Sequence, residues 1–385
     1  MPIFKYLNKK INFHAPPQSQ VVLFEEENVE VIQRYILLDI PFYIYSLAPE
    51  SIYFCLGVII NFMRSLKHID WKNYIYKKNE RKLFTIILNY YRLATLEYIN
   101  PKIVITFIDN SELFHWLSKN CNNIEFFAIQ NGNRPNWELE SFSRDSFHLK
   151  HYFCFGNYDV DRFKKYNLKV DNFYPIGSLN GSIILNEVEK GNLINNNKYD
   201  ICFVSSATLD TKANEITMDY YLSYELIIKY LAKFIEEFNV TLAVALRLDK
   251  RLSPRLSKLE KDHFDFIFSK NAELVERNKL SSYYTALKSD VLIGSGTTIL
   301  AECFGLGKKI MYCDVSDRKI FHDHNSIILF SKPNYNSFKN RLNELLNESY
   351  NKYLERTSNY RAYVMNYNKD CLPHLFIRKK IEQFL

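Results

Sequence analysis

The most constraining feature of the chain is a short apolar run that stops on small polar residues and passes directly into a helical one. Val291-Leu292-Ile293 leads into Gly294-Ser295-Gly296-Thr297-Thr298, and Ile299-Leu300-Ala301-Glu302 continues with helical character. Only 10 glycines occur in 385 residues, so two within three positions mark a tight turn or a close backbone approach. The hydroxyls of Ser295, Thr297 and Thr298 suit a helix N-cap, and the first N–H groups of a helix have no partner inside it. In α/β proteins such a junction holds a phosphate at the carboxyl end of a strand. A capped turn without any ligand has the same sequence. On the ligand reading, Gly294 to Thr298 cradle a phosphate and Glu302, one turn on, reaches a ribose hydroxyl.

The pattern recurs along the chain. Apolar runs at 21–24, 42–45, 102–108, 124–129, 152–156, 173–176, 199–204, 241–246, 264–268 and 308–313 read as strands. Helical spacing is expected at 51–65, 80–98, 112–118, 159–166, 219–238 and 281–287, and through most of the tail from 335, with Pro373 interrupting it. Strand, helix and strand at these lengths make βαβ units, hence parallel sheets. The Asn-rich stretch 189–198 is the best linker. It divides the chain into 1–190, 191–350 and a C-terminal helical part, 351–385.

Strand ends supply the candidate chemistry, because open α/β sheets bind ligands there. Asp109-Asn110 follows one strand, and Asp109 either activates an acceptor hydroxyl or caps the next helix. Gln130-Asn131-Gly132-Asn133-Arg134 follows the next, and Arg134 adds a bidentate anion binder to what is otherwise an ordinary turn. Gly177-Ser178 offers backbone contacts. Arg247 ends another strand and either pairs with a ligand phosphate or forms a structural salt bridge. Asp159-Val160-Asp161 has the form of a metal-binding DxD, although acids also favour a helix N-terminus. His322-Asp323-His324 has two imidazoles but no evident third ligand, which favours a polar loop beside the donor site over a metal site.

Length and composition bound these readings. The length suits two domains. A formal charge of +7 fits an anionic ligand or an acidic membrane surface, without the basic stripes of a nucleic-acid binder. Seven scattered cysteines and no CxxC argue against a disulfide framework or a zinc site, and for a reducing compartment. No apolar signal core opens the sequence, and the apolar region 40–62 is broken by Pro41, Pro49 and Glu50. A cytoplasmic protein, at most peripheral to the inner membrane, is expected.

Two α/β halves, a polar linker and a phosphate-type turn in the second half suggest the GT-B architecture. Ile105-Thr106-Phe107-Ile108-Asp109-Asn110, Ile129-Gln130-Asn131-Gly132-Asn133-Arg134 and Phe173-Tyr174-Pro175-Ile176-Gly177-Ser178 resemble the N-terminal domain of bacterial surface-carbohydrate biosynthesis proteins. These GT-B glycosyltransferases are related in pattern to capsule Kdo transferases and CDP-glycerol transferases. Gly294-Ser295-Gly296-Thr297-Thr298 with Glu302 is similar to their donor-phosphate turn. The resemblance implies two Rossmann-like domains facing across a cleft, the donor held mainly by the second, and C-terminal helices crossing back to the first. It also implies glycosyl transfer from a nucleotide sugar to a glycan or lipid-linked acceptor, without metal or cofactor. A polyol-phosphate transferase, a sugar 2-epimerase and a non-catalytic binding subunit are the alternatives. Two features depart from the pattern. No His-Pro pair follows Ala245-Leu246-Arg247-Leu248, where users of CMP-linked ulosonic acids carry one. The first loop shows no Gly-rich catalytic acid; His14-Ala15-Pro16-Pro17 stands in roughly that region, with His14 as a contact.

Overall fold

The computed structural model describes residues 10–46, 51–69, 80–190, 198–206, 215–278, 280–316, 326–368 and 370–385. The strands are buried on both faces where they are central to a sheet, as parallel strands under helices must be. They are β1 (Lys10–Asn12), β2 (Val21–Phe24), β3 (Tyr43–Tyr45), β4 (Ser51–Tyr53), β5 (Ile103–Thr106), β6 (Glu125–Ile129), β7 (Leu149–Cys154) and β8 (Val170–Pro175) in the first half. The second half contains β9 (Tyr199–Val204), β10 (Leu242–Ala245), β11 (Ala272–Val275), β12 (Ser289–Gly294), β13 (Lys309–Cys313) and β14 (Leu329–Phe330).

Two six-stranded parallel sheets result, ordered β3-β2-β5-β6-β7-β8 and β11-β10-β9-β12-β13-β14. Along the first, the chain reverses its direction of growth between β2 and β5; along the second, between β9 and β12. At each reversal the flanking connections leave on opposite faces and open a crevice at the carboxyl ends of the strands. β1 and β4 form a separate two-stranded parallel pair.

Period-two alternation decides which side chain faces which layer. In the first sheet Val22, Val104 and Phe126 pack with Leu96, Phe114 and Leu117, while Val21, Ile103 and Phe127 pack with Ile36, Ile183 and Ile377 on the other face. Ile377 belongs to the last helix, Pro373–Glu382, so the C-terminus does cross back to the first domain. The preceding helix, Tyr350–Val364, stays with the second domain, where Tyr353 and Val364 join the core. The crossing is made at Met365-Asn366-Tyr367. Asn366 donates its backbone N–H to Phe155 O at 2.8 Å and its side-chain amide to Pro175 O at 2.8 Å.

This crossing requires glycine beneath it. A Cβ on Gly156 would lie 2.2 Å from the Tyr363 carbonyl oxygen, and backbone cannot step aside as a flexible side chain can. Gly156→Ala is therefore expected to destabilise the protein by about 1–3 kcal/mol, read as a lower urea midpoint at unchanged slope.

Two expected elements differ. Residues 264–268 are not a strand but the last turn of the helix Pro254–Phe268, whose buried positions Ser257, Glu260, Phe264 and Phe268 keep helical spacing; the strand is β11, four residues on. The helix expected over 51–65 divides into β4 and the helix Leu56–Leu66, because Ser51-Ile52-Tyr53 pairs with β1. Most of the linker lies outside the described residues, as do His322 and His324.

Candidate functional site

The two crevices face one another across a cleft of about 1220 Å³. Its second-domain wall begins where β12 ends. Gly294 lies against β9, where a Cβ would sit 2.8 Å from Val204 O, and Gly296 takes a left-handed φ of 62°. Ser295 turns inward, its hydroxyl donating to Cys313 O, and Gly296 gives its N–H to the Tyr312 hydroxyl at 2.9 Å. Gly296, Thr297 and Thr298 line the cleft. Thr297 caps the helix Thr298–Gly305 in extended conformation with no side-chain capping bond, so the first turn of the helix points at the cleft with its N–H groups not capped by that side chain.

Beside this turn stand three arginines, Arg247, Arg251 and Arg277. Buried Glu260 fixes the backbone that carries the first: one carboxylate oxygen accepts the Arg247 N–H at 2.9 Å, the other the Leu248 N–H at 2.9 Å. Ser205 donates to the same carboxylate at 2.5 Å, tying the ends of β9 and β10 together. The Arg247 guanidinium donates to Ser206 O, and Arg277 donates to Arg247 O at 2.7 Å. Arg251 is held by Asp249, whose carboxyl it draws down to about 2. Guanidinium groups and a helix N-terminus on one wall make it a site for anions.

The first-domain wall is mostly acidic, with Glu30 and one arginine, Arg34, on the helical turn that follows β2. Glu26 and Glu27, directly after β2, line the cleft. They are bracketed by non-glycine residues in left-handed conformation, Glu25 at φ 81° and Asn28 at φ 60°. Each such residue costs about 1–3 kcal/mol, and this kind of strain gathers at functional sites. Glu27 has its pKa raised, first by desolvation and then by Asp109, with Arg134 opposing. The strand-end rule that picked out Asp109 also reaches these glutamates; a search for glycine passes them over.

Other expected contacts have different partners. Asp109 is buried beneath the loop it was expected to work beside: Arg134 Nε donates to it at 3.2 Å, Tyr152 Oη at 2.9 Å and Asn131 N–H at 3.1 Å. A second Arg134 nitrogen joins them. Asp109 and Arg134 therefore satisfy each other and fix the 130–134 loop. Gln130 is buried in the same scaffold, accepting Phe155 N–H at 2.9 Å, and Asn110 turns to Glu138 at 2.7 Å. Asn131 does reach the cleft. Gly132 and Asn133 meet the second domain, Asn133 N–H donating to Thr298 Oγ1 at 3.2 Å. The structure thus brings the 130–134 loop and the Gly294–Thr298 turn together, from opposite halves of the sequence.

Glu302 is at the cleft floor, but both its carboxylate oxygens are engaged, one by Ser178 of the first domain and one by Tyr283 at 2.5 Å. It bridges the domains, and each of its oxygens already accepts one hydrogen bond where a ribose contact was expected. Gly177, at φ 92°, lies beneath Tyr367. Burial pushes the Glu302 carboxyl up to about 7 from 4.5, against the two hydrogen bonds. A carboxyl that binds its proton more tightly when folded loses stability for the fold as pH rises from about 4.5 through about 7. Glu302→Gln is accordingly expected to flatten the fall in Tm between pH 5 and pH 8. His14 is exposed, edge-on to Tyr53 at 6.0 Å, and does not line the cleft.

The DxD reading fails on geometry. Asp159 is buried next to Arg162 at 3.8 Å and burial raises its carboxyl to about 6, whereas Asp161 accepts a hydrogen bond from Tyr363 at 2.7 Å. Residues two apart on a helix do not share a face. Among the described residues no group of three or more His, Cys, Asp or Glu side chains is arranged for a metal ion. Nor is any described helix long and apolar enough to cross a membrane.

Two parallel sheets, each with its switch point opening on a shared cleft, define the GT-B fold. Known structures with this architecture cover nearly the whole chain. A UDP-N-acetylglucosamine 2-epimerase from Listeria monocytogenes, so described provisionally, aligns over 95% of both chains with a TM-score of 0.55 at 10% identity. A variant of the wall teichoic acid polymerase TagF aligns over 95% of this chain and 89% of its own, with a TM-score of 0.53 at 10% identity. The UDP-GlcNAc 2-epimerase from Neisseria meningitidis, bound to UDP-GlcNAc, covers 94% and 98% with a TM-score of 0.52 at 12% identity. No protein-family model matches the chain, and no curated protein matches its sequence.

Proposed function

We propose that the protein is a glycosyltransferase that moves a sugar from a nucleotide-activated donor, a UDP-sugar or a CMP-linked ulosonic acid, to a hydroxyl of a surface glycan or lipid-linked acceptor. The observation that carries this is the division of charge across the cleft: three arginines and a helix N-terminus on one wall, Glu26, Glu27 and Glu30 with a single arginine, Arg34, on the other. In this reading Thr297, Thr298 and Arg247 hold the donor phosphate. Glu27 takes the proton of the acceptor hydroxyl as its oxygen attacks the anomeric carbon. The bond from that carbon to the phosphate oxygen breaks, and the charge left on the phosphate meets donors already in position. Asn131 and the 130–134 loop, held by Asp109, border the acceptor. The reaction needs no metal or cofactor. Capsule, O-antigen or lipopolysaccharide assembly at the cytoplasmic side of the inner membrane is the setting that fits such an acceptor.

The UDP-GlcNAc-bound epimerase with this architecture favours a second reading, a sugar 2-epimerase, and the teichoic acid polymerase favours a polyol-phosphate transferase. Incubating the pure protein with a panel of nucleotide sugars and analysing the products separates the three. Nucleotide release that depends on an acceptor hydroxyl supports glycosyl transfer. An altered sugar formed without acceptor, or phosphorus appearing in the product, overturns it.

A further inference from the structure

Among the described residues, the helix Leu56–Leu66 is docked by one face only. Gly57 lies against Tyr98, Phe62 packs on Tyr91 with ring centroids 5.8 Å apart, and Val58 and Ser65 are buried. On the other side Leu56, Ile60 and Met63 recur at spacings of four and three, which stacks them on one face, and Leu56 and Met63 are 75% and 62% exposed. Phe54, just before the helix, is also exposed and meets Phe13, 77% exposed, with ring centroids 6.4 Å apart. Single exposed apolar residues are ordinary, but an apolar helix face continued by two exposed phenylalanines marks an interaction site.

The charges name its partner. No Asp or Glu occurs from Ile52 to Ile69 or from Lys10 to Phe24. The exposed basic residues are Arg64 and Lys67, and Lys67 follows Met63 by four residues, at the end of the same stripe. Apolar side chains over a helix face, basic groups at its margin and no acid between them are the composition of a helix lying in a membrane interface. An acidic protein surface would call for salt-bridge partners distributed through the patch. Two copies meeting here would bring arginine and lysine against their own kind.

We propose that this face, Phe13, Phe54, Leu56, Ile60 and Met63 with Arg64 and Lys67, docks the protein on an anionic phospholipid bilayer. The apolar side chains enter the headgroup boundary while the two cations meet lipid phosphates. The surface deepens the reading above, in which the acceptor is lipid-linked, yet its test involves no turnover: lost transfer with retained vesicle binding counts against the transferase alone.

The experiment is co-sedimentation of the full chain with vesicles of phosphatidylcholine, with and without phosphatidylglycerol. Wild type is expected to sediment with the anionic vesicles, and less as salt rises. Leu56→Asp/Met63→Asp, at exposed positions and so with unchanged Tm, is expected to lower the partition coefficient by more than about tenfold on either vesicle. Arg64→Glu/Lys67→Glu is expected to lower it by about tenfold or more on the anionic vesicles only, each basic residue near such a surface being worth about fivefold. Wild type remaining in the supernatant, or equal binding by the variants, overturns the proposal. So does a wild-type dimer in sedimentation velocity that Leu56→Asp/Met63→Asp dissociates, since a second copy then covers the face.

Discussion

Glu27→Gln is expected to lower kcat by about 10²–10⁴-fold, the usual contribution of a positioned general base, with donor affinity unchanged. The amide keeps the shape of the side chain and removes its ability to take a proton. Because desolvation raises the Glu27 carboxyl above its ordinary range, the acid limb of the wild-type kcat/KM profile is expected above pH 4.5, with activity rising as the carboxylate forms. Steady-state kinetics across pH, with tryptophan or calorimetric titration of donor, read both quantities. Equal losses in kcat and in donor affinity would mean that Glu27 shapes the cleft without taking the proton.

Asp109→Ala is expected to act on the fold more than on the chemistry. Its carboxylate holds Arg134, Tyr152 and the Asn131 N–H together in a buried cluster. Removing it leaves the buried Arg134 guanidinium with only Glu138, at 3.6 Å, as a counter-charge, a defect of up to about 3–5 kcal/mol. The double variant Asp109→Ala/Arg134→Leu is expected to recover a large part of this, because no uncompensated charge remains. Urea denaturation of the wild type, both single variants and the double variant measures the coupling directly. A catalytic Asp109 gives the opposite result: near-normal stability and an enzyme that folds but does not turn over.

How much of this was legible follows from where each signal lies. β5, β6, β9, β12 and β13 are covered on both faces, so their sequences are continuous apolar runs that need no partner to recognise. The Gly294–Thr298 turn is local as well, and it lies on the cleft as the strand-end rule requires. The helix Pro254–Phe268 was obscured by Phe266, which is 86% exposed and puts a large apolar residue on the solvent face, breaking the helical period near its end. The pairing of Asp109 with Arg134 spans 25 positions, and that of Ser178 with Glu302 spans 124. Local spacing carries no trace of either, so each residue read as free. Glu26 and Glu27 escaped notice for another reason: their loop reaches left-handed conformation at Glu25 and Asn28, without the glycines that usually announce such a turn.

The cleft's basic wall is the centre of the account, and ligand-induced stabilisation tests it most directly. UDP, CDP, CMP and GDP would each be added to the pure protein, to wild type and to Arg247→Ala. Glu260 holds the backbone at Arg247 through N–H groups that alanine retains, so that variant loses a guanidinium and keeps the loop. A nucleotide at about 100 times its Kd adds about 2.7 kcal/mol to the native state. The expected result is a rise in Tm with one or more of the four, abolished or much reduced in Arg247→Ala. No shift with any nucleotide, or a shift of equal size in the variant, would contradict the assignment of this wall to the donor phosphate.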